Sequence, residues 1–406
     1  MILLFSVYFI TLPKKATFEV EKTERILEFK SAYFSGRENG KKVWEFYARR
    51  GWSGKNNDIT YFEDISRGKF YKEGDLIVKD LMAPYLKAWR QSKVVEAFGL
   101  PEGVTTGESR LSATIAFTPR DRRKYALLRA DRILYNPNAK TSTITGRIKL
   151  KEKESSLFAD AMTIDHEKET AAASGNINII RSDLSLACEA LEYFAKGERI
   201  LSRGKISSII KGNPEPTIIN CSSMELFADP KKDISASGSL EVFQGKKIAL
   251  CDSLTYNKAQ SKIILNGKVK TIIEKAQALL KKETVEKLSA GGARLPDGQG
   301  PASGGKSEEA KKLLYEKTVI NSDQMQLSTS NGDANAYGNV IITQKDRIGK
   351  ADKASYSEKS EMITLSDNVY LKKENQWIRC KTINVSVKDE TFDAVGSVEA
   401  EFRMKR

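Results

Sequence analysis

His166 is the only histidine in the 406 residues. A histidine-built metal centre therefore lacks a second ligand of its kind, and a Ser-His-Asp arrangement has one candidate base. Carboxylates follow a more regular pattern. Asp131, Asp160, Glu189 and Asp252 each stand one residue after a small residue that recurs along the chain. Two carboxylates facing one groove are what glycosidic hydrolysis requires. A catalytic pair needs to occur only once, whereas this acidic position returns in cycle after cycle, which reads as structural. Cys188, Cys221, Cys251 and Cys380 form no Cys-x-x-Cys pair, which argues against a zinc ribbon or a thioredoxin-type motif. They read as small inward-facing core residues, with a disulfide between neighbouring cycles open in an oxidising compartment. No Gly-x-x-x-x-Gly-Lys-Ser/Thr loop is present to cradle a nucleotide. The residue types thus point away from catalysis, and they assign no metal and no cofactor.

What positions these residues is an internal repeat. A Gly-x-apolar triplet recurs at Gly146-Arg147-Ile148, Gly175-Asn176-Ile177, Gly204-Lys205-Ile206, Gly238-Ser239-Leu240, Gly267-Lys268-Val269, Gly338-Asn339-Val340 and Gly396-Ser397-Val398. Asp367-Asn368-Val369 fills the missing slot, and the commonest step is 29 residues. A second marker keeps the same step. Ala130, Ala159, Cys188, Cys221, Cys251, Ser322, Ala351 and Cys380 each precede a glycine slot by 16 or 17 residues. The longer steps contain the turn-rich Gly212–Pro216 stretch and one long insert.

Each cycle reads as two strands. Around the small slot, apolar residues fall at −2, 0, +3 and +5, as in Leu157, Ala159, Met162 and Ile164. Alternation by two marks a strand with one buried face, and the odd step from 0 to +3 predicts a bulge or corner. The inward set continues with Leu191 and Tyr193, Met224 and Leu226, and Leu254. After the glycine slots it comprises Ile148 and Leu150, Ile177 and Ile179, Ile206, Leu240, Val269, and Val340 with Ile342. Eight such cycles predict an elongated β structure stacked along one axis.

Composition sets the outer bounds. Lys plus Arg number 67 against 53 Asp plus Glu, a formal charge of +14. A basic surface favours an anionic partner: nucleic acid, a membrane surface or a phosphorylated glycolipid. Nucleic acid is disfavoured, because aromatics are not interleaved with basic clusters and no helical reading motif appears. No run reaches 18 apolar residues, which excludes a polytopic membrane protein. Residues 1–15 open with an apolar run ending at Pro13-Lys14-Lys15 and read as a signal anchor or its truncated end. Residues 16–125 are strand-rich but irregular, 126–271 hold five cycles and 317–406 hold three. Between them, 272–316 combines helix formers with a Gly/Pro/Ser-rich stretch and is expected to be a partly helical, flexible insert.

Lys42-Val43-Trp44-Glu45-Phe46-Tyr47-Ala48 and the pattern from Ala130-Asp131 through Tyr135 to Gly146-Arg147-Ile148 resemble the LptC/LptA (OstA-like) family of periplasmic lipopolysaccharide-transport proteins. The stretch 16–125 resembles the LptC type and the cycles resemble OstA-like modules. The resemblance implies an all-β fold, an elongated twisted β-jelly roll of stacked antiparallel strands. It implies carriage, not catalysis: lipopolysaccharide acyl chains lie in an apolar groove between two sheets, with the lipid A head outside. Arg147, Lys149, Lys205 and Lys268 would meet its phosphates. The implied partners are an inner-membrane lipopolysaccharide ABC transporter, an outer-membrane lipopolysaccharide translocon, and other OstA-like modules joined end to end by β-augmentation. Val395, Val398 and Phe402 would offer the C-terminal edge, and the location would be periplasmic with an N-terminal inner-membrane anchor. Two other readings share the stacking: a structural β-repeat stalk without ligand, and a β-solenoid carbohydrate-active enzyme.

Overall fold

The computed structural model describes residues 26–54, 58–99, 111–117, 125–212, 215–274, 317–386 and 391–401. Every regular element among them is a β-strand, and every pairing described below is antiparallel. This is the β-rich architecture expected of an OstA-like fold. The expected anchor, Phe402 and residues 275–316 of the insert lie outside the described residues. Among those described, no helix is long and apolar enough to cross a membrane. The chain divides into two compact units, residues 1–177 and 178–406.

In the first unit β1 (Leu27–Glu38), β2 (Lys41–Ser53), β3 (Ile59–Lys72) and β4 (Asp75–Trp89) form a meander. Strand β3 runs through from Ile59 to Lys72, and its register slips near Gly68. A glycine there lets Leu81 of β4 approach within van der Waals reach of the backbone. The second half of β4 pairs with β5 (Val95–Phe98) and its first half with β6 (Leu111–Ala116). Next, β7 (Tyr125–Ala130) pairs with β6 and β8 (Arg132–Asn136) with β5. The long β9 (Thr141–Glu152) rejoins both, and β10 (Ser155–Asp165) follows on it. Aromatic packing fills this unit. Phe46, Phe70 and Tyr135 are fully buried, Phe70 stacks on Tyr135 at 5.0 Å, and the Trp44 indole donates to the Lys93 carbonyl at 2.8 Å.

The remaining strands are β11 (Thr170–Ile180), β12 (Leu184–Phe194), β13 (Arg199–Ile210), β14 (Thr217–Phe227), β15 (Ile234–Gln244), β16 (Lys247–Asn257) and β17 (Lys262–Ile273). After the insert come β18 (Thr318–Ser328), β19 (Ala334–Gln344), β20 (Arg347–Ser357), β21 (Met362–Lys373), β22 (Gln376–Ser386), β23 (Thr391–Val395) and β24 (Glu399–Glu401). From β12 to β22 each strand pairs with the next. Ile272 and Ile273, expected at the start of a helix, end strand β17 instead, because Ile272 and Ile273 pair with Val319 and Thr318 across the insert.

The corner expected from the 0-to-+3 step is present. Register shifts fall between Asn220 and Ser223, Leu250 and Ser253, Asn321 and Gln324, and Lys350 and Lys353. The small residue sits opposite the apolar residue of the glycine triplet: Ala159 faces Ile148, Cys221 faces Ile206, Cys251 faces Leu240 and Ala351 faces Val340. Space and backbone hand explain the glycine. Gly267 has φ +78°, and a Cβ there would lie 2.3 Å from a carboxylate oxygen of Asp252. Asp367 takes the same left-handed conformation, φ 63°, as Asp and Asn tolerate best among residues with a Cβ.

The corner splits each long strand of the second unit into two arms. One arm carries residues such as Val269–Ile273 and Thr318–Ser322; the other carries Lys262–Asn266 and Gln324–Ser328. The two arms face each other across the interior. Thr271 Oγ1 on one donates to Met325 Sδ on the other at 3.2 Å, and Lys247 Nζ lies 5.7 Å from the ring centre of Tyr356.

Candidate functional site

The recurrent carboxylates are corner fittings. Asp131 accepts three hydrogen bonds from the Arg147 guanidinium at 2.8–3.1 Å. Asp160 accepts from Asn176 at 2.7 Å, Asp323 from Asn339 at 2.8 Å and Asp352 from Asn368 at 2.6 Å. Each acidic residue thus holds the side chain that follows the glycine slot and shields the positive-φ pair. Arg147, expected to meet lipid phosphates, gives its guanidinium to Asp131 and keeps 37% of its side chain exposed. Lys205 and Lys268 occupy the same position of the corner, and Lys149 lies against the Phe158 ring at 5.5 Å.

The four cysteines are free and buried. Cys188, Cys221 and Cys251 lie on β12, β14 and β16, so a whole strand separates each from the next. Two strand spacings are about 9.6 Å, beyond the Cα reach of a disulfide. Burial pushes the Cys221 and Cys251 thiols up to about 11, which leaves them unreactive small core residues.

His166 lies on the turn after β10 with 3% of its surface exposed. Its Nε2 is 2.8 Å from Ser142 Oγ, itself fully buried. Asp165 does not complete a triad, since its carboxylate accepts the backbone N–H groups of Glu167 and Lys168. Burial, with Lys72 nearby, pulls the imidazole down to about 4, and Asp165 offsets only part of this. The ring is a neutral hydrogen-bonding core group. Among the described residues no cluster of three or more His, Cys, Asp or Glu is placed to hold a metal ion.

The inward apolar set is where the sequence places it. Ile148, Leu150, Met162, Ile164, Ile177 and Ile179 are buried, as are Leu191, Ile206, Met224, Leu226, Leu240, Leu254, Val269 and Val340. Tyr193 and Ile342 are half-buried. Most of these pack closely. Toward the open ends of the arms, between β15 and β21, the packing gives way to a cavity of about 100 Å³. Val242, Ala249, Thr271, Ile320 and Ile342 line it from one arm, and Met325, Leu327, Ala336, Ala354 and Ile363 from the other. Its walls are almost wholly apolar, with Gln244, Lys247 and Tyr356 among the polar groups present. Of the sequence-chosen residues Ile342 alone reaches it.

A second feature at the arm ends escaped the sequence reading. Arg181, 5% exposed, gives Nε and Nη2 to the two oxygens of Asp183 at 3.0 Å each, and Nη1 to the Phe227 carbonyl at 2.8 Å. Lys258 Nζ also donates to Asp183 and to the Pro230 carbonyl. Arg181 and Asp183 sit at the tip of one arm, Phe227, Pro230 and Lys258 at the tip of the other. Burial pushes the Asp183 carboxyl up, but the hydrogen bonds from Arg181 and Lys258 prevail and hold it at about 2. This cluster clasps the two rims together. An Arg two residues before an Asp is too common a pattern to have announced it.

At the C-terminal end, Val395 and Val398 are 56% and 50% exposed. Strands β23 and β24 both lie on β22, interrupted at Gly396 by a last corner, and no described strand covers their other side.

No family model matches this chain, and no curated protein does. Solved structures do. One is the crystal structure of LptH, the LptA homologous periplasmic component of the conserved lipopolysaccharide transport device from Pseudomonas aeruginosa. It shares 16% identity, with a TM-score of 0.24, over 26% of this chain and 76% of that one.

Proposed function

We propose that this chain is a non-catalytic carrier that shelters the acyl chains of lipopolysaccharide between the two arms of its corner-folded strands. It would act in the periplasm, held to the inner membrane by its N-terminus. It would pass lipid from an inner-membrane ABC transporter toward an outer-membrane translocon. The supporting observation is the apolar cavity between facing arms, open toward their tips and continuous with an inward row of Ile, Leu, Val and Met. Each methylene moved from water into such a space gains about 0.8 kcal/mol. The cavity of about 100 Å³ admits part of one acyl chain; a whole chain requires the arms to part. The exposed edge of β23 and β24 offers unpaired backbone for end-to-end addition of another β module. Energy for transport would come from the transporter.

Filling the cavity tests this reading. Ala336→Phe places a ring in the space between the arms, while Ser235→Phe places one on the exposed outer face. The expected result is that Ala336→Phe weakens binding of purified lipopolysaccharide at least tenfold and Ser235→Phe leaves it unchanged, with both variants cooperatively folded. Equal affinity in the two variants, or no binding by the parent chain, would leave the packed structural stalk as the better description.

A further inference from the structure

Strand register gathers cations on one outer face of the first unit. Lys79 pairs with Thr114, Thr114 with Leu127, Leu127 with Lys151, and Lys151 with Ser156. A second row beside it runs through Met82, Ser112, Arg129, Lys149 and Phe158. Direct partners in an antiparallel pair share a face. The face is the outer one, since its residues alternate with the buried Ala113, Ile115, Leu128 and Ile148. The two rows cross β4, β6, β7, β9 and β10, a span of about 19 Å at the usual spacing of strands.

These rows hold Lys79, Arg129, Lys149 and Lys151 and no acidic residue. Among the described residues none of the four is ion-paired. Lys79 Nζ lies 4.1 Å from the Tyr125 ring centre and Lys149 Nζ 5.5 Å from that of Phe158, contacts that orient an ammonium without neutralising it. Met82 and Leu127, 50% and 45% exposed, lie among the cations. The outer face of the other arm is built differently. Its ladder reads Glu96, Leu134, Thr143 and Thr163, and Arg132 is ion-paired with Glu96. The repeat shows that the basic face is local, since no other cycle carries a cation at both positions of Lys149 and Lys151; the next two have Asn178 and Ile180, then Ser207 and Ile209.

We propose that this face of the first unit seats on the surface of an anionic phospholipid bilayer, with the four cations on headgroup phosphates and Met82 and Leu127 at the acyl boundary beneath them. The chemistry selects the occupant. Cations set around exposed apolar side chains match a layer in which phosphates lie directly above hydrocarbon. Nucleic acid presents phosphates without that apolar layer, and an acidic protein surface would leave Met82 and Leu127 against carboxylates. The inference is independent of the carrier reading, since it concerns the outer face and not the interior. A variant that loses vesicle binding and keeps its affinity for lipopolysaccharide separates the two.

Flotation of the full chain with vesicles tests it. Mixed phosphatidylglycerol and phosphatidylcholine vesicles should carry far more protein than phosphatidylcholine alone, and the difference should shrink as salt is raised. Lys149→Glu/Lys151→Glu should weaken partitioning onto the anionic vesicles by at least about thirtyfold, since each cation near such a surface is worth about a factor of five. Lys211→Glu/Lys270→Glu makes the same change of net charge at exposed positions of the second unit and should leave partitioning nearly unchanged. A second readout places an environment-sensitive fluorophore on Leu127→Cys, the four native cysteines being buried. Its emission should shift to the blue on anionic vesicles, and the same label on Thr163→Cys, exposed on the other arm, should not shift. Equal weakening by the two charge variants, equal flotation with both kinds of vesicle, or an unshifted label at Leu127 would overturn the proposal. So would retention of the parent on immobilised polyglutamate without vesicle binding, which would assign the face to an acidic protein.

Discussion

Replacing Asp183 with alanine should lower the unfolding free energy by about 3 to 5 kcal/mol, the usual range for removing one partner of a buried ion pair. The size comes from what is left behind. Arg181 is 5% exposed, and its guanidinium has two of its donors on Asp183. Lys258, 10% exposed at the side chain, loses its carboxylate too. Two cations would remain at the joined tips of the arms with only the Phe227 and Pro230 carbonyls to receive them. Asp183→Asn keeps an acceptor and should cost less than the alanine variant. Arg181→Met/Asp183→Leu removes the charges on both sides of the bidentate pair and should recover most of the loss. Urea unfolding of the four proteins would check the order. If the alanine variant unfolds like the parent, the clasp does not hold the arms.

Acid should weaken the fold through His166, by about 3 kcal/mol between pH 6.5 and 4. Burial holds its folded value at about 4, against an ordinary value of 6.5. Above pH 6.5 the imidazole is neutral in both states and contributes no pH dependence. Between 6.5 and 4 the unfolded chain takes up a proton that the folded chain refuses, so stability falls as pH falls. The loss is complete once pH has dropped through the folded value. His166→Gln does not titrate. Subtracting its stability from that of the parent at each pH should give a curve flat above 6.5 and falling below it. Parallel curves across this window would show that His166 is not the group responsible.

Sequence periodicity made the corner legible, because one physical requirement repeats eight times. A small residue opposite a Gly-x-apolar triplet, with a parity flip of apolar positions, allows one strand geometry, and Cys221 opposite Ile206 or Ala351 opposite Val340 is that geometry. The inward set from Ile148 to Val340 followed from alternation alone. Features that occur once were not legible. The pairing of β5 with β8 and of β4 with β6 joins strands that are not consecutive in sequence, with no local signature. Ser142 and His166 meet at the open end of the β9–β10 hairpin, where register sets the start of β9 beside the end of β10, and neither residue marks the event. The cavity also eluded alternation, which says that a side chain points inward but not how closely its opposite arm packs. Leu327 and Ala336 line a space, while Leu265 and Leu254, equally inward, are fully packed. The basic outer face of the first unit emerged only once strand register placed Lys79, Leu127 and Lys151 on one row.

The central claim, that lipid acyl chains lie between the arms, is tested most directly by site-specific photocrosslinking in the native envelope. A photoreactive residue at Ile342, which lines the cavity, should give a lipopolysaccharide adduct. The same residue at Asn339, exposed on the corner two residues from Ile341 on the same strand, should give none. An adduct confined to Ile342 is the predicted result. No adduct at Ile342 in a folded, exported protein, or equal adducts at both positions, would contradict the account.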